Sequence, residues 1–245
     1  MYKCYLLGKG IKNSRSGEIY RDLSEKDKID FLYENADIDV EEIPEFVKFI
    51  KRTGARGFNV TAPYKSDIIK YLDEMSEAVK VLGAANTVIN ENGKLVGYNT
   101  DVYGARTAYK KFLQYGNTLI LGRGGAARAL VYAFKDLNLT LYVRDSSKNN
   151  LLLKINPNLN FIYDLEDCDF INVINATSVG FNEDKAIFTN KFKSQKTAVD
   201  IIYTPECTLF LSEMKKQGVE VKNGYDMLYY QAVEAYKLYK GEKND

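Results

Sequence analysis

Residues 117–127 read Asn-Thr-Leu-Ile-Leu-Gly-Arg-Gly-Gly-Ala-Ala. The apolar run is typical of a buried strand, and residues 126–137 have helical composition. The glycines between them fit G-x-G-x-x-A, which lets the chain turn sharply and lets a pyrophosphate approach the backbone at the start of a helix. We therefore predict a dinucleotide-binding loop at Gly122, Gly124, Gly125 and Ala126. The alternative is a glycine-rich turn that packs a helix and binds nothing.

Strand-like and helix-like segments alternate on both sides of this loop. On its carboxyl side we predict strands at 140–143, 170–174 and 197–201 and a helix at 207–217, which indicates a doubly wound parallel sheet of Rossmann type. Before the loop we predict strands at 3–7, 29–33, 56–60, 87–89 and 95–98 and helix-like runs at 47–51 and 67–72. Asn92-Gly93 is a strong hairpin signal. The chain is therefore predicted to be α/β, with two α/β domains that divide near residue 103.

The composition excludes several classes of function. The 34 basic and 33 acidic residues are well mixed, so no nucleic-acid or membrane-binding surface is expected. The three cysteines are scattered, which argues against a disulfide framework or a zinc site and favours a cytoplasmic location. The chain contains no histidine, so a histidine base is excluded and a proton transfer must use Lys, Asp, Glu, Tyr or Cys.

The segment after the second Rossmann strand bears on the choice of cofactor. Arg144 follows Val143 directly, where NAD-binding domains commonly place an acid for the ribose 2′-hydroxyl. Arg144 and Lys148 suit a 2′-phosphate instead, so we predict NADP, with NAD less favoured. Asp145, one position later, leaves a ribose contact open, and a solvated loop is the remaining alternative.

Three polar stretches at strand ends combine groups that packing alone does not require. Residues 59–65 read Asn-Val-Thr-Ala-Pro-Tyr-Lys, residues 83–87 read Gly-Ala-Ala-Asn-Thr, and residues 97–101 read Gly-Tyr-Asn-Thr-Asp. Each has an ordinary interpretation as well. Lys65 taken alone suits a surface charge, and Asp101 suits the N-cap of a helix that begins near Tyr103.

In order and spacing these stretches resemble the motifs N-V-T-x-P-x-K, G-A-x-N-T and G-x-N-T-D of the shikimate dehydrogenase family. Residues 122–129 resemble its G-x-G-G-A-x-R-A segment. Further motifs, N-x-T-x-x-G, D-x-x-Y-x-P-x-x-T and G-x-x-M-L-x-x-Q-A, are matched at 175–180, 200–208 and 224–232. The resemblance runs from about residue 8 to the end of the chain.

This resemblance implies NADP-dependent, reversible reduction of 3-dehydroshikimate to shikimate, a step of chorismate and aromatic amino-acid biosynthesis. It implies a substrate-binding catalytic domain of residues 1–103 plus 225–245, an NADP-binding domain of residues 104–224, and an active site in the cleft between them. Lys65 would pass a proton to the carbonyl oxygen, and Asp101 would hold its ammonium and contact a ring hydroxyl.

The resemblance also implies the remaining binding residues. For the substrate these are Ser14, Ser16 and Tyr203 at the carboxylate and Asn59, Thr61, Asn86 and Gln231 at the ring hydroxyls. For the cofactor they are Thr177, Ile201 and Gly224, in addition to Gly122, Gly124, Gly125, Ala126, Arg144 and Lys148.

The first loop departs from the family pattern G-x-P-I-x-H-S-x-S-P-x-x-H-N. The two serines are kept, but both prolines and both histidines are replaced. The ring substrate is therefore open: quinate and an amino-substituted analogue are alternatives, as is a non-catalytic paralogue that binds NADP. A methyltransferase or an epimerase does not explain the lysine and aspartate pair. The expected partner is a small molecule, and the chain is expected to be a monomer or a homodimer.

Overall fold

The computed structural model describes residues 1–113, 116–147, 149–165, 168–181 and 192–242. They form two compact units, the first made of Met1–Gly104 and Tyr229–Asp245 and the second of Ala105–Leu228. The first unit is therefore discontinuous in sequence, and the second is one continuous stretch. Among the described helices, none has the length and apolar character needed to span a lipid bilayer.

The first unit is built around a six-stranded mixed sheet. Its elements are β1 (Tyr2–Gly8), α1 (Ser16–Asp27), β2 (Phe31–Asp37), α2 (Ile43–Thr53), β3 (Gly57–Val60), β4 (Glu74–Met75), α3 (Glu77–Leu82), β5 (Thr87–Glu91), β6 (Lys94–Tyr98) and α4 (Asp101–Tyr109), which continues into the second unit. Short 3-10 turns lie at Val40–Glu42 and Asp67–Tyr71. The strand order is β2-β1-β3-β5-β6-β4. Only β5 runs antiparallel to its neighbours, β3 and β6.

Local signals explain several of these elements. The predicted hairpin is confirmed: Asn92 and Gly93 have φ of 55° and 91° and join β5 to β6. Ile43, Val47 and Ile50 lie on one face of α2 and are buried, which is the spacing of an amphipathic helix. The segment predicted as a strand at 29–33 is β2, but it runs two residues later at its start and four later at its end.

The second unit is a parallel sheet with helices between its strands. Its elements are β7 (Asn117–Leu121), α5 (Gly125–Ala133), β8 (Asn138–Tyr142), α6 (Asn149–Ile155), β9 (Asn160–Ile162), β10 (Cys168–Asn175), β11 (Phe192–Asp200), α7 (Leu209–Lys216), β12 (Glu220–Lys222) and α8 (Tyr225–Lys240), which continues into the first unit. The strand order is β12-β11-β10-β7-β8-β9, and every pairing is parallel. This is the doubly wound Rossmann order, so the predicted fold class is confirmed.

Burial in the second unit follows from this layered arrangement. Leu119, Ile120 and Leu121 of β7 are fully buried in succession, as expected for a central parallel strand covered on both faces. Phe210 and Met214 of α7 pack into the same core. The loops at the carboxyl ends of β7, β8, β10 and β11 are thereby fixed by buried strands.

Candidate active site

Lys65 and Asp101 lie side by side in the first unit. The Nζ of Lys65 is 2.6 Å from Oδ2 of Asp101, and the two side chains are 23% and 9% exposed. Lys65 lies in the short turn that follows β3. Asp101 is itself the first residue of α4, so it is not the N-cap of a helix that begins near Tyr103. The structure therefore brings the two predicted catalytic residues into direct contact.

Asn86 binds the carboxylate oxygen of Asp101 that does not contact Lys65. Its Nδ2 donates to Oδ1 of Asp101 at 2.9 Å and to Oγ1 of Thr100 at 3.0 Å. Its Oδ1 accepts from the backbone N–H of Thr100 at 2.7 Å, which fixes the orientation of the amide. Gln231 of α8 approaches the same group, with Oε1 3.3 Å from the Nδ2 of Asn86. Four predicted residues, Lys65, Asn86, Asp101 and Gln231, thus belong to one cluster.

Asn59 lies beside this cluster and is 6% exposed. The hydroxyls of Tyr20 and Tyr33 donate to its Oδ1 at 2.8 and 2.9 Å. Its Nδ2 donates to Oγ1 of Thr87 at 3.0 Å and to the carbonyl of Asn86 at 3.3 Å. Sequence reasoning did not identify either tyrosine. The one available signal was that Tyr20 occupies the second histidine position of the first-loop pattern.

The two predicted serines are paired at the start of α1. The hydroxyl of Ser14 donates to Oγ of Ser16 at 3.2 Å, and the N–H of Ser16 donates back to Ser14 Oγ at 3.3 Å. The carboxylate of Asp37 holds the preceding loop through the N–H groups of Gly10 at 2.9 Å and Ile11 at 3.1 Å. Gly10 has φ of +69°. Proline neither reaches this φ nor has an N–H to donate, so the departure from the family pattern has a physical reason here.

Two further predicted substrate residues are more loosely placed. Thr61 is partly exposed in the turn after β3, and its N–H donates to the carbonyl of Leu7 at 2.9 Å. Tyr203 belongs to the second unit, between β11 and α7, and is partly buried.

A cavity of about 580 Å³ lies at the predicted dinucleotide loop in the second unit. Four predicted cofactor residues line it: Gly122, Gly124, Arg144 and Thr177. The other lining residues are Arg123, Tyr142, Val143, Ala176, Ser178 and Val179. Gly125 and Ala126 form the first turn of α5. Lys148 lies outside the described residues.

The glycines of this loop have distinct physical roles. Gly122 has φ of +113°, and a Cβ there would lie 3.0 Å from the carbonyl oxygen of Ala176. A Cβ at Gly124 would meet no atom within 4 Å. Gly124 also caps α5 without a side-chain hydrogen bond, so the N–H groups of the first turn are left for a ligand. This part of the cavity therefore fits a pyrophosphate.

Arg123 and Asp145 form a bidentate ion pair beside the cavity. The guanidinium nitrogens lie 2.8 and 2.7 Å from the two carboxylate oxygens, and the N–H of Ser147 donates to Oδ1 at 2.9 Å. Arg123 holds the pKa of Asp145 well below its usual range. Arg144 is exposed at the rim of the same cavity. Asp145, which the sequence leaves available for a ribose, is thus engaged by Arg123, a residue that sequence reasoning did not single out.

Comparisons with known proteins agree with this geometry. A family model, shikimate dehydrogenase substrate binding domain, matches residues 6–88. The shikimate dehydrogenase (NADP(+)) of Caldicellulosiruptor saccharolyticus is 37% identical over 98% of this chain and 92% of its own. That of Pyrococcus furiosus is 37% identical over 98% and 90%. The chain belongs to the shikimate dehydrogenase family.

A solved structure extends this membership to the whole chain. Shikimate 5-dehydrogenase from Thermus thermophilus, in complex with NADP(H) and shikimate, superposes with a TM-score of 0.91 at 31% identity. The match covers 100% of this chain and 95% of that one. Both units therefore have the shikimate dehydrogenase fold.

Two shikimate dehydrogenase motifs in the second unit are joined by buried hydrogen bonds. Oδ1 of Asn175 accepts from the Oγ1 of Thr177 at 2.8 Å, and its Nδ2 donates to Oδ1 of Asp200 at 3.1 Å. Thr208 Oγ1 donates to Oδ2 of Asp200 at 2.7 Å. Burial raises the pKa of Asp200 above its ordinary value. These residues shape the loop that carries Thr177. The sequence analysis placed all of them in motifs but predicted a role only for Thr177.

Ile201 and Gly224 are packed against each other. A Cβ at Gly224 would lie 1.9 Å from the carbonyl oxygen of Ile201, so only glycine fits. Neither residue is among those that line the cavity of the second unit. The structure thus gives Gly224 a packing role, and contacts of both residues with a cofactor stay predictions.

Proposed function

We propose that this protein is an NADP-dependent shikimate dehydrogenase, which reduces 3-dehydroshikimate reversibly to shikimate in chorismate and aromatic amino-acid biosynthesis. The observation that carries the proposal is the 2.6 Å contact between Lys65 and Asp101, held by Asn86 in a chain without histidine. The relatives at 37% identity bear this enzyme's name.

In the proposed reaction Lys65 moves the proton. During reduction its ammonium donates a proton to the carbonyl oxygen of the ring, and during oxidation the amine takes that proton back from the hydroxyl. When bound, NADPH supplies the hydride to the carbon of that carbonyl group, and NADP⁺ accepts the hydride in the reverse reaction. Asp101 orients Lys65 and contacts a ring hydroxyl. Asn86 keeps Asp101 in place through Oδ1.

Substrate binding is assigned to the groups around this pair. Ser14 and Ser16 present two hydroxyls 3.2 Å apart, which suits the two oxygens of a carboxylate. Thr61, Asn86 and Gln231 are assigned to the ring hydroxyls. Tyr203 is assigned to the substrate carboxylate. Residues 1–103 plus 225–245 form the substrate-binding domain in this proposal.

Cofactor binding is assigned to residues 104–224. Gly122, Gly124 and the first turn of α5 would hold the pyrophosphate, since a Cβ at Gly124 meets no protein atom. Arg144 would hold the 2′-phosphate, because the nearby carboxylate of Asp145 is already bound by Arg123. Lys148, Thr177, Ile201 and Gly224 complete the proposed set. A cytoplasmic location belongs to the same proposal.

The test is a spectrophotometric assay of NADP reduction with shikimate and quinate supplied separately, with NAD in parallel. We expect turnover with shikimate and NADP and weaker turnover with NAD. Preferential turnover of quinate would replace the proposed substrate. An absence of turnover in folded protein that still binds NADP would favour a non-catalytic paralogue.

A further inference from the structure

The side chain of Asn59 has no hydrogen-bonding capacity left for a ligand. A side-chain amide accepts two hydrogen bonds and donates two. The hydroxyls of Tyr20 and Tyr33 fill both acceptor positions, and Thr87 Oγ1 and the carbonyl of Asn86 take both donors. Asn59 is also only 6% exposed, so its hydrogen bonds are all made within the first unit.

The two tyrosines determine which way the amide faces. Both phenols are donors here, and burial raises the pKa of each well above its ordinary value, so they stay protonated. Because both phenols donate, the side-chain carbonyl oxygen of Asn59 must face the two tyrosines. The NH₂ group of Asn59 must then face Thr87 and Asn86. A flipped amide would set NH₂ against two hydroxyl donors.

From Asn59 the hydrogen bonds continue to the catalytic pair. The hydroxyl of Thr87 accepts from Asn59 and lies 3.2 Å from Oδ1 of Asn86. Nδ2 of Asn86 donates to Asp101, which binds Lys65. The orientation of Asn59 is therefore coupled to Asn86, whose position controls the carboxylate of Asp101.

In the other direction the series ends at the two tyrosines. The ring of Tyr33 lies beside the start of α1, where a Cβ at Gly17 would be 3.9 Å from its Cδ1. Its hydroxyl donates to Asn59. Side-chain hydrogen bonds thus run from Tyr20 and Tyr33 to the proposed proton donor, all within the first unit.

We propose that Tyr20 and Tyr33 are positioning residues for the reaction. They orient Asn59, which acts on the catalytic pair through Thr87 and Asn86 and does not contact the ring itself. The inference rests on the proposed function, because it concerns the same site.

The experiment compares Tyr20→Phe and Tyr33→Phe with Tyr239→Phe. Each substitution keeps the aromatic ring and removes one hydroxyl. Tyr239 belongs to the same aromatic cluster, with its ring 6.1 Å from that of Tyr20. Its side chain is fully buried, and its hydroxyl has no hydrogen-bond partner among the described residues. It is therefore a matched control. The kcat and the KM for shikimate are measured at saturating NADP.

Loss of one buried hydrogen bond corresponds to a factor of about ten. We expect Tyr20→Phe to lower kcat by about this factor with little change in KM. Tyr33→Phe is expected to lower kcat by a similar factor, since it removes the second donor to Oδ1 of Asn59. The double variant should lose more than the product of the two, because each tyrosine alone still holds Asn59. Tyr239→Phe should match the wild type.

The inference is overturned if the wild type turns over shikimate and both variants have the kcat and KM of Tyr239→Phe. An inactive wild type removes the proposed function, and the hydrogen-bond arrangement is then decided by urea unfolding of Tyr20→Phe, Asn59→Ala and the double variant. Coupling between the two substitutions supports the arrangement, and additive losses of unfolding free energy overturn it.

Discussion

Nζ of Lys65 and Oδ2 of Asp101 are 2.6 Å apart, although the two residues are separated by 36 positions in the chain. One follows β3 and the other begins α4, so the contact depends on the central strands of the first sheet. Both side chains are largely shielded from water, where an ion pair is stronger than at the surface. The pair is thus a preorganised feature of the unit.

Replacing Lys65 by alanine is expected to remove catalysis without removing cofactor binding. The loss of general acid–base catalysis is worth about 10²–10⁴ in rate. The measurement is kcat with shikimate and NADP, together with a fluorescence titration of NADP. Lys70→Ala, an exposed lysine in the next turn, is the control and should keep the wild-type rate. A wild-type rate for folded Lys65→Ala would refute the assignment.

Arg144→Ala is expected to weaken NADP binding about tenfold, because one charge-assisted contact to a phosphate is worth roughly that factor. NAD lacks the 2′-phosphate, so its affinity should barely change. Equilibrium titration with both cofactors measures the difference. Equal losses for NADP and NAD would count against this role.

Asp145→Ala complements Arg144→Ala, because it removes a negative charge from the rim of the same cavity instead of a positive one. It removes a carboxylate from the rim of the cavity and releases the guanidinium of Arg123. NADP binding should then tighten several-fold, and more at low salt than at high salt. Weaker NADP binding in Asp145→Ala would show that the Arg123 pair is needed to shape the site.

Gly224→Ala and Gly124→Ala should affect different properties. A methyl at Gly224 would meet the carbonyl oxygen of Ile201 at 1.9 Å, so we expect a loss of about 3 kcal/mol or more in unfolding free energy. A methyl at Gly124 meets no protein atom, so Gly124→Ala should cost less than about 1 kcal/mol but weaken NADP binding. Urea unfolding and cofactor titration separate the two effects. Comparable stability losses in both would contradict the packing argument.

Asp200 should make the second unit less stable as pH rises. Burial raises its pKa above 3.8, so between about pH 4 and that pKa the folded state keeps a proton that the unfolded state has lost. The unfolding free energy of the wild type relative to Asp200→Asn should therefore fall through this window and then level off. Urea unfolding across the acid range measures it.

Asp73 provides the control of opposite sign. The N–H of Leu95 and then Lys51 lower its pKa, so its contribution is present above pH 4 and is lost as pH falls. The wild type relative to Asp73→Asn should gain stability with rising pH. The same slope for both comparisons would point to a general charge effect and contradict the assignment to Asp200.

The fold was predictable where its signals are local. β7 covers residues 117–121 as predicted, because a short apolar run bounded by glycines is unambiguous. The strand predicted at 29–33 begins before β2 does. β2 is an edge strand whose residues are all exposed or only partly buried, so no buried apolar run marks its bounds. The helix α6 and the short edge strands β9 and β12 were not predicted, since each has few residues and no distinct pattern.

In the candidate site, too, the residues of local motifs were predictable and the contacts between distant residues were not. The motifs that carry Lys65, Asn86 and Asp101 were recognisable because each is a short continuous stretch of sequence next to a strand. The bonds from Tyr20 and Tyr33 to Asn59 span 39 and 26 positions and depend on how α1 and β2 pack on β3. No local pattern encodes such pairings, so they emerge only from the three-dimensional structure.

The discontinuity of the first unit also imposes an order on biosynthesis. Gln231, which contacts Asn86 and Thr100, follows the whole of the second unit in the chain. A ribosome must therefore translate every residue of the second unit before the first can be completed. A nascent chain holds Lys65 and Asp101 early but gains the α8 side of their cluster only after the neighbouring unit has been synthesised.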